Sequence, residues 1–290
     1  MSVWVTGQET VTFAVRDSVE LQMDVYVADQ SIRQPETVVY VFGGGFFTGS
    51  RRDSVSVDYC RQMQERGFTT IAIDYRLGLK GKRVKGMKFV NTMSDAIDMA
   101  VEDLASAVAY LLKEGARWGV DGDKIVVAGS SAGAVTALEA DWCHANGKQQ
   151  TSVLPAEFRF AGIMAYSGAV FSHEGRVKYK GHAPAPTLMY HGTEDKVVEY
   201  DKIELGRYGF YGSNSLVRVF KKNGYPVWIK RFEGLRHDVC GFGNREVDEA
   251  MWFIQKWVRE GRRWTRDETF YDESYQCSGI WSKDMKALYK

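Results

Sequence analysis

Hydrophobic and polar residues alternate at the start of the chain, and hydrophobic residues later cluster in short runs. Alternation with a period of two appears in VTFAVRD and, after a short turn, in VELQMDVYVA, which predicts an antiparallel hairpin. Continuous apolar runs follow in ETVVYVF, FTTIAIDYR, KIVVAG, FRFAGIMAYSG, APTLMYHG and VWIKRFEG. Such runs are typical of strands that are buried on both faces of a sheet.

Segments with helical spacing separate these runs. Apolar residues recur every three or four positions in SVDYCRQMQERG and most clearly in AIDMAVEDLASAVAYLLKEGARWG. Further helices are predicted from Ala132, around residues 213–223 and over EVDEAMWFIQKWVREG. The alternation predicts an α/β fold in which a mostly parallel sheet, extended by the N-terminal antiparallel hairpin, carries helices on both faces. Without repeats or a low-complexity linker, residues 1–290 are expected to form a single domain.

Three segments do not fit the alternation. Residues 78–91 are basic and glycine-dotted, residues 169–184 are polar, and residues 262–290 form an irregular tail rich in Trp, Tyr and charge. We interpret the first two as insertions, because they follow predicted strands, where α/β folds place their functional loops. The cations of the first insertion either attract an acidic sugar or another anion, or form a solvated surface loop. These cations are Lys80, Lys82, Arg83, Lys85 and Lys88.

Composition and charge narrow the classes of partner. The chain has 290 residues, 44% of them hydrophobic, and a net charge of +1, which suits a large α/β core and gives no reason to expect nucleic acid or an anionic membrane. No apolar stretch reaches the roughly 18 residues of a spanning helix. The N-terminus MSVWVTGQET lacks the basic start and apolar centre of a signal peptide. Localisation stays open: we expect a soluble protein that is cytoplasmic, or is secreted or periplasmic with a leader absent from this chain. The oligomeric state also stays open.

The cysteines indicate no metal site. The four cysteines are scattered, with no CxxC pair, so neither a zinc site nor a disulfide framework is predicted. We expect no cofactor. Whether Cys240 and Cys277 pair stays open, because separation in sequence does not give geometry.

The segment KIVVAGSSAG contains a G-x-S-x-G pattern centred on Ser131. In this pattern a sharp turn from a strand into a helix exposes a serine Oγ above the sheet, and the flanking glycines allow the close approach. An apolar run precedes the match and a helical segment follows it, as the motif requires. The helix N-terminus also favours a developing negative charge at this point. We predict that Ser131 is a nucleophile.

A serine nucleophile needs a base and a carboxylate that orients the base. In the strand-turn-helix arrangement these follow in the order Ser, acid, His, each after a strand. Asp195 follows the run TLMYHG and His237 follows VWIKRFEG, so both stand at expected positions. We interpret the remaining histidines as structural or solvated, with His191 bracing the Asp195 loop. The competing residues are His144, His173, His182, His191, Glu194 and Asp238.

The stretch VFGGGFFTGS permits several interpretations. A dinucleotide-binding fingerprint fails because Thr48 stands where its last glycine belongs, and a Walker loop fails because no lysine follows its second glycine. An oxyanion hole remains, in which the N–H groups of Gly44, Gly45 and Ala132 face the reacting carbonyl oxygen. A plain structural turn is the alternative.

Together these residues resemble the α/β-hydrolase family, in particular the esterase and lipase branch related to hormone-sensitive lipase. The resemblance rests on FGGG, DYRL, GSSAG, HGTED and GLRHD, which lie between residues 37 and 260. It implies an α/β-hydrolase fold and carboxylester hydrolysis. One position departs, since Phe42 stands where that branch usually has His. This makes the chain look more like bacterial carbohydrate-linked esterases, such as acetyl xylan and feruloyl esterases.

We therefore predict hydrolysis of small acyl esters through an acyl-enzyme, with a small-molecule or glycan ester as substrate. The alternatives are a serine peptidase of the prolyl-oligopeptidase kind and a non-catalytic ligand-binding protein on the same fold. Residues 208–215 and the pair Arg51 and Arg52 lie near predicted strand ends, beside the expected site. Nothing in the sequence assigns them to binding or chooses the acyl group.

Overall fold

A large twisted sheet forms the centre of the structure, which is a computed structural model that describes residues 8–275 and 277. Residues 1–7, considered above for a leader, and the tail residues 276 and 278–290 lie outside the described part. The strands within that part are β1 (Gln8–Arg16), β2 (Val19–Tyr26), β3 (Thr37–Val41), β4 (Thr69–Ile73), β5 (Ile125–Ser130), β6 (Gly162–Tyr166), β7 (Ala169–Ser172), β8 (Thr187–Gly192), β9 (Lys202–Leu205), β10 (Tyr208–Gly212), β11 (Val227–Phe232) and β12 (Thr265–Phe270).

Nine of these strands lie in the order β1-β2-β4-β3-β5-β6-β8-β11-β12. The hairpin of β1 and β2 is antiparallel, β2 pairs antiparallel with β4, and the pairs from β4 to β12 are parallel. The predicted hairpin and mostly parallel sheet are confirmed. Strands β3, β4, β5, β6 and β8 are buried at every position, which explains their continuous apolar sequences.

Helices cover both faces of the sheet. They are α1 (Ser54–Glu65), α2 (Gly86–Glu114), α3 (Ala132–Ala145), α4 (Ser213–Asn223) and α5 (Val247–Phe253), which continues as a π-helical turn over Ile254–Arg259. Helix α1 packs against α5, and α2 packs against α3. Helix α3 is buried along its whole length, because α2, β5, β6 and β7 surround it. In the described part of the chain, no helix combines the length and the apolar character needed to cross a membrane.

The two predicted insertions contain more regular structure than expected. Helix α2 begins at Gly86, so the second half of the segment 78–91 forms its first turns. The segment 169–184 begins with β7, which pairs antiparallel with β10, and β10 pairs with β9. We call β7, β9 and β10 the small sheet. Its strands have only four or five residues, too short for a clear periodic signal.

The predicted irregular tail also proves wrong in part, because residues 265–270 form β12, parallel to β11 at the edge of the large sheet. This strand is largely exposed, so its sequence TRDETF has no apolar run. Its acidic side chains hold it to the neighbouring strand. Asp267 pairs with Arg231, and Glu268 accepts a hydrogen bond from Trp228 Nε1 at 2.7 Å.

Candidate active site

Ser131 occupies the sharp turn between β5 and α3. Its backbone has φ 52° and ψ −117°, a conformation that residues other than glycine rarely adopt. Its N–H donates to the Tyr166 carbonyl at 2.9 Å, which ties the turn to the neighbouring strand β6. A Cβ at Gly129 would overlap the backbone of Gly133, and a Cβ at Gly133 would overlap the backbone of Val41, so both flanking glycines are required. The turn has the strained geometry that the G-x-S-x-G pattern predicts.

The structure brings Ser131, His237 and Asp195 into one hydrogen-bonded chain. Ser131 Oγ lies 2.8 Å from His237 Nε2, and His237 Nδ1 lies 2.7 Å from Asp195 Oδ2. The carboxylate accepts from Nδ1–H, which leaves the Nε2 lone pair facing the serine hydroxyl. All three side chains are buried, yet Ser131 and His237 also line a cavity. The arrangement allows His237 to take the Ser131 proton.

Asp195 is held by its own loop, which follows β8. Oδ1 accepts from the N–H groups of Val197 at 2.9 Å and Val198 at 3.1 Å, while Oδ2 faces the imidazole of His237. Burial raises the pKa of Asp195, but the charge of His237 and hydrogen bonds from His191 and His237 outweigh it. The net effect holds the pKa of Asp195 below its ordinary value of 3.8, so this carboxyl is ionised at neutral pH.

The competing residues have other partners. Glu194 points outward, with 59% of its side chain exposed, and lies 3.8 Å from Arg236. His191 Nε2 donates to the Val198 carbonyl at 3.0 Å, while its Nδ1 lies 2.8 Å from Ser213 Oγ. The remaining three histidines also have hydrogen-bond partners elsewhere. His144 bonds to the Phe158 carbonyl, His173 to Ser94 Oγ and His182 to the Ala183 carbonyl.

The triple-glycine loop lies directly against the Ser131 turn. A Cβ at Gly43 would come within 3.0 Å of Ser130 O and 3.3 Å of Ser131 Cβ. Gly44 and Gly45 have φ values of 125° and 60°, which a residue with a side chain would adopt only under strain. Both glycines and Ala132 line the same cavity as Ser131. The glycine loop, Ala132 and Ser131 therefore border one cavity.

Phe42, the position that departs from the related esterases, is a core residue. It is only 3% exposed, and its ring stacks on Tyr75 with 4.4 Å between the ring centroids. Tyr75 Oη in turn donates to the Phe42 carbonyl at 3.1 Å. The aromatic pair thus supports the loop by packing.

Arg51 and Arg52 brace the far end of the loop and do not line the cavity. Arg51 pairs with Asp74 and with Asp24, and Arg52 also pairs with Asp24. The motif DYRL thus contributes, through Asp74, an anchor for the glycine loop that sequence reasoning did not find.

An apolar cavity of about 620 Å³ opens from Ser131 and His237. Its walls come from the glycine loop, from the first turns of α2 and from the small sheet. Among the described residues that line the cavity, none is Lys or Arg. Two lining residues carry carboxylates, Asp53 and Asp238. The large apolar lining side chains are Phe46, Phe47, Phe89, Val90, Met93, Phe171, Ile203, Leu205, Tyr208 and Phe210. Tyr208 and Phe210 belong to the segment 208–215 noted above.

Two further observations bear on cofactors and cross-links. Within the part of the chain that the structure describes, His, Cys, Asp and Glu side chains form no group of three or more that could hold a metal ion. Cys60, Cys143, Cys240 and Cys277 are free thiols, which answers the question of a Cys240–Cys277 bond. The Cys240 carbonyl instead accepts a hydrogen bond from Ser130 Oγ at 2.8 Å, linking the end of β5 to the segment that carries His237.

Comparison with solved structures shows the same fold in esterases. Thermogutta terrifontis esterase 2 phosphoramylated by tabun aligns with a TM-score of 0.60 and 22% identity, covering 86% of this chain and 95% of that chain. The butyrate-bound form of the thermophilic Est2 esterase from Thermogutta terrifontis aligns with a TM-score of 0.58 and 20% identity, over 86% and 94%.

Curated relatives match only part of the chain. The non-reducing polyketide synthase ascC of Acremonium egyptiacum is 30% identical over 135 residues, 46% of this chain and 6% of that protein. The synthase adrD of Penicillium roqueforti is 28% identical over 195 residues, 65% of this chain and 7% of that protein. The chain thus spans less than a tenth of the length of these relatives.

The family model BD-FAE matches residues 23–170, slightly more than half of the chain. The matched part contains the glycine loop, the DYRL motif and the Ser131 turn. Together with the fold of the esterases above, this confirms the expected resemblance, and the chain belongs to the BD-FAE family of esterase-like α/β-hydrolases.

Proposed function

We propose that this protein is a serine carboxylester hydrolase that works through an acyl-enzyme. The observation that carries the proposal is the hydrogen-bonded chain from Ser131 Oγ through both ring nitrogens of His237 to Asp195. A serine hydroxyl attacks an ester slowly unless a base removes its proton, and an imidazole does so only when its tautomer is fixed. The backbone strain at Ser131 fits this assignment, because strained residues cluster at functional sites.

In the proposed reaction, Ser131 Oγ attacks the ester carbonyl while His237 Nε2 takes its proton. Asp195 stabilises the imidazolium, and the N–H groups of Gly44, Gly45 and Ala132 stabilise the oxyanion. His237 then gives its proton to the departing alcohol as the carbon–oxygen bond breaks. Water, deprotonated by the same histidine, attacks the acyl group, and proton return to Ser131 releases the acid.

The cavity favours a bulky acyl group over an acetyl group. A volume of about 620 Å³ lies within the range of sites for drug-sized ligands, and its walls are largely aromatic and aliphatic. An aromatic acyl group such as feruloyl would remove this surface from water, whereas an acetyl group would leave most of it unfilled. A carbohydrate on the alcohol side would then remain outside the cavity.

A pair of neighbouring serines supplies the test. Ser131→Ala should lose hydrolysis of nitrophenyl and feruloyl esters and lose labelling by a fluorophosphonate, with the melting temperature nearly unchanged. Ser130→Ala removes an adjacent hydroxyl that also lines the cavity, and should keep the labelling. An organophosphorus probe is suitable because a structurally similar esterase has been solved phosphorylated by paraoxon. Undiminished turnover by Ser131→Ala would sink the assignment.

The same assays separate the alternatives. A peptidase would cleave aminoacyl amides faster than esters in a substrate panel. A non-catalytic binding protein would hydrolyse neither and would leave Ser131 unlabelled.

A further inference from the structure

A dense group of positive charges lies beside the mouth of the cavity. We call residues 80–88 the basic segment; its cations are Lys80, Lys82, Arg83, Lys85 and Lys88. All five side chains are exposed. None forms an ion pair with a carboxylate of residues 8–275, and the catalytic scheme above uses none of them. The net charge of the whole chain is only +1, so this is a local field.

Both ends of the basic segment are fixed to the cavity wall. Just before it, the Leu79 N–H donates to the carbonyl of Phe46 in the glycine loop at 2.9 Å. Directly after it, Phe89 lines the cavity, followed by Val90 and Met93 on the same helix. Lys85 precedes the first residue of α2 and accepts a backbone hydrogen bond from Phe89 at 3.4 Å. Lys85 and Lys88 therefore lie within one helical turn of the cavity wall.

The exposed part of the cavity lining is largely apolar, with one exposed carboxylate, Asp53, which accepts a hydrogen bond from the Ser50 N–H at 2.9 Å. The cations of the basic segment lie outside this rim. Val55, Ile203 and Leu205 line the cavity although 49%, 47% and 54% of their surface is exposed. Glu204, on the same edge strand as Ile203 and Leu205, is already paired with Lys202 and accepts from Tyr211 Oη at 3.0 Å. It therefore does little to neutralise the basic segment. The cavity therefore has largely apolar walls, and exposed cations lie just outside its mouth.

We propose that the ester substrate carries an anionic group, which the basic segment attracts at the cavity mouth while the apolar part of the substrate fills the cavity. This rests on the proposed function and names the substrate class of the same site. Asp238, a buried carboxylate that lines the cavity, disfavours an anion in the interior, so the charged end of the substrate stays outside. An acidic sugar, or a carboxylate, sulfate or phosphate at the far end of an aromatic or aliphatic ester, satisfies both requirements.

The test compares two esters that differ in charge alone. These are the mono-nitrophenyl ester of a medium-length dicarboxylic acid, with a free distal carboxylate, and its neutral methyl ester. A second pair carries the carboxylate on the leaving group, which shows whether the acyl or the alcohol end faces the basic segment. The variant Lys82→Glu/Lys85→Glu is compared with Lys113→Glu/Lys222→Glu, which changes net charge equally. Lys113 lies in the last turn of α2, roughly 40 Å along the helix from Gly86.

At low ionic strength, Lys82→Glu/Lys85→Glu should lower kcat/KM for an anionic ester about tenfold, because electrostatic steering raises association rates by one to three orders of magnitude. The neutral esters and the Lys113→Glu/Lys222→Glu variant should change less than about twofold. Salt should weaken the preference of the wild-type protein for the anionic ester. The proposal would be overturned if both double variants changed the ratio of kcat/KM between anionic and neutral ester equally in each pair. Because the neutral esters would still be hydrolysed, the esterase function would stand.

A binding measurement keeps the two proposals separate even without turnover. Anilinonaphthalene sulfonate is anionic, and phenylnaphthylamine is a neutral fluorophore of closely similar shape. The Ser131→Ala variant should bind the anionic probe more tightly than the neutral probe. Adding Lys82→Glu/Lys85→Glu to this variant should remove the difference in affinity between the two probes. Equal affinity for both probes, insensitive to these substitutions, contradicts the proposed substrate class whatever Ser131 does.

Discussion

Gly133, in the first turn of α3, lies so close to the carbonyl oxygen of Val41 that a Cβ at this position would overlap it. Val41 is the last residue of β3, and only Phe42 separates it from the first of the three glycines. The close approach therefore joins the start of α3 to the start of the loop. The second glycine of G-x-S-x-G has a packing role, which is to let α3 approach the end of β3 and so bring Ser131 beside the glycine loop.

Replacing Gly133 with Ala should destabilise the protein by about 3 kcal/mol, because the overlapping atoms belong to the backbone and cannot rotate away. Gly241→Ala is the matched control, since a Cβ there meets nothing within 4 Å. Chemical denaturation of both variants gives the comparison. Equal free energies of unfolding would show that α3 and β3 can separate without cost.

Replacing Asp195 with Asn should lower kcat on the order of 10³- to 10⁴-fold while the fold persists. The amide can donate to His237 Nδ1, which favours the tautomer that carries its proton on Nε2 and cannot accept the Ser131 proton. Steady-state kinetics on a nitrophenyl ester measures the loss. Glu194→Gln is the control, since that neighbouring carboxylate points outward; a comparable loss there would remove Asp195 from its assigned role.

Narrowing the cavity should separate bulky from small acyl groups. Val135 is buried, lines the cavity and lies one helical turn after Ser131. Val135→Phe should lower kcat/KM for a feruloyl ester by about 10- to 100-fold, the range for altered pocket contacts, and change an acetyl ester far less. Val153→Phe, at a half-exposed position, serves as control. A proportional loss for both esters would indicate general damage instead of a size limit.

Asp141 should make stability depend on pH. Burial raises the pKa of Asp141, on the covered helix α3, from 3.8 to about 7. Between these values the folded protein holds a proton that the unfolded chain has lost, so stability falls as pH rises through this range and levels off above it. Asp141→Asn should remove this contribution, which approaches about 1.4 kcal/mol per pH unit.

Urea unfolding of the wild-type protein and of Asp141→Asn at several pH values gives the comparison. The difference in free energy of unfolding isolates Asp141 from Glu139 and Asp98, whose pKa values burial also raises. A difference that stays constant between about pH 4 and pH 7 would contradict the raised pKa.

The sequence predicted the elements whose patterns are determined locally. A strand that is buried on both faces needs apolar residues at successive positions, so it appears in the sequence as a continuous apolar run. The strained turn at Ser131 requires its flanking glycines, so it appears as the G-x-S-x-G pattern. Because the carboxyl ends of parallel strands share one edge of the sheet, the loops after β8 and β11 were expected to place Asp195 and His237 near Ser131, where the structure has them.

The cavity walls could not be predicted in the same way. The small sheet pairs β7 with β10 across more than thirty intervening residues, and such pairing depends on tertiary contacts that a four-residue strand does not encode. Strand β9 is exposed throughout, and β12 is held by side chains such as Asp267 and Glu268 instead of apolar burial. The first turns of α2 were missed because their basic residues resemble a loop.

Formation of an acyl-enzyme on Ser131 is tested most directly by intact-protein mass spectrometry of an acid-quenched reaction with nitrophenyl acetate, followed by peptide mapping. During turnover the wild-type protein should gain the mass of one acetyl group, located on Ser131. The Ser131→Ala variant should show neither the adduct nor the turnover. Continued turnover with the acetyl group on another residue, or with no covalent adduct in the wild-type protein under any quench time, would contradict the proposed mechanism.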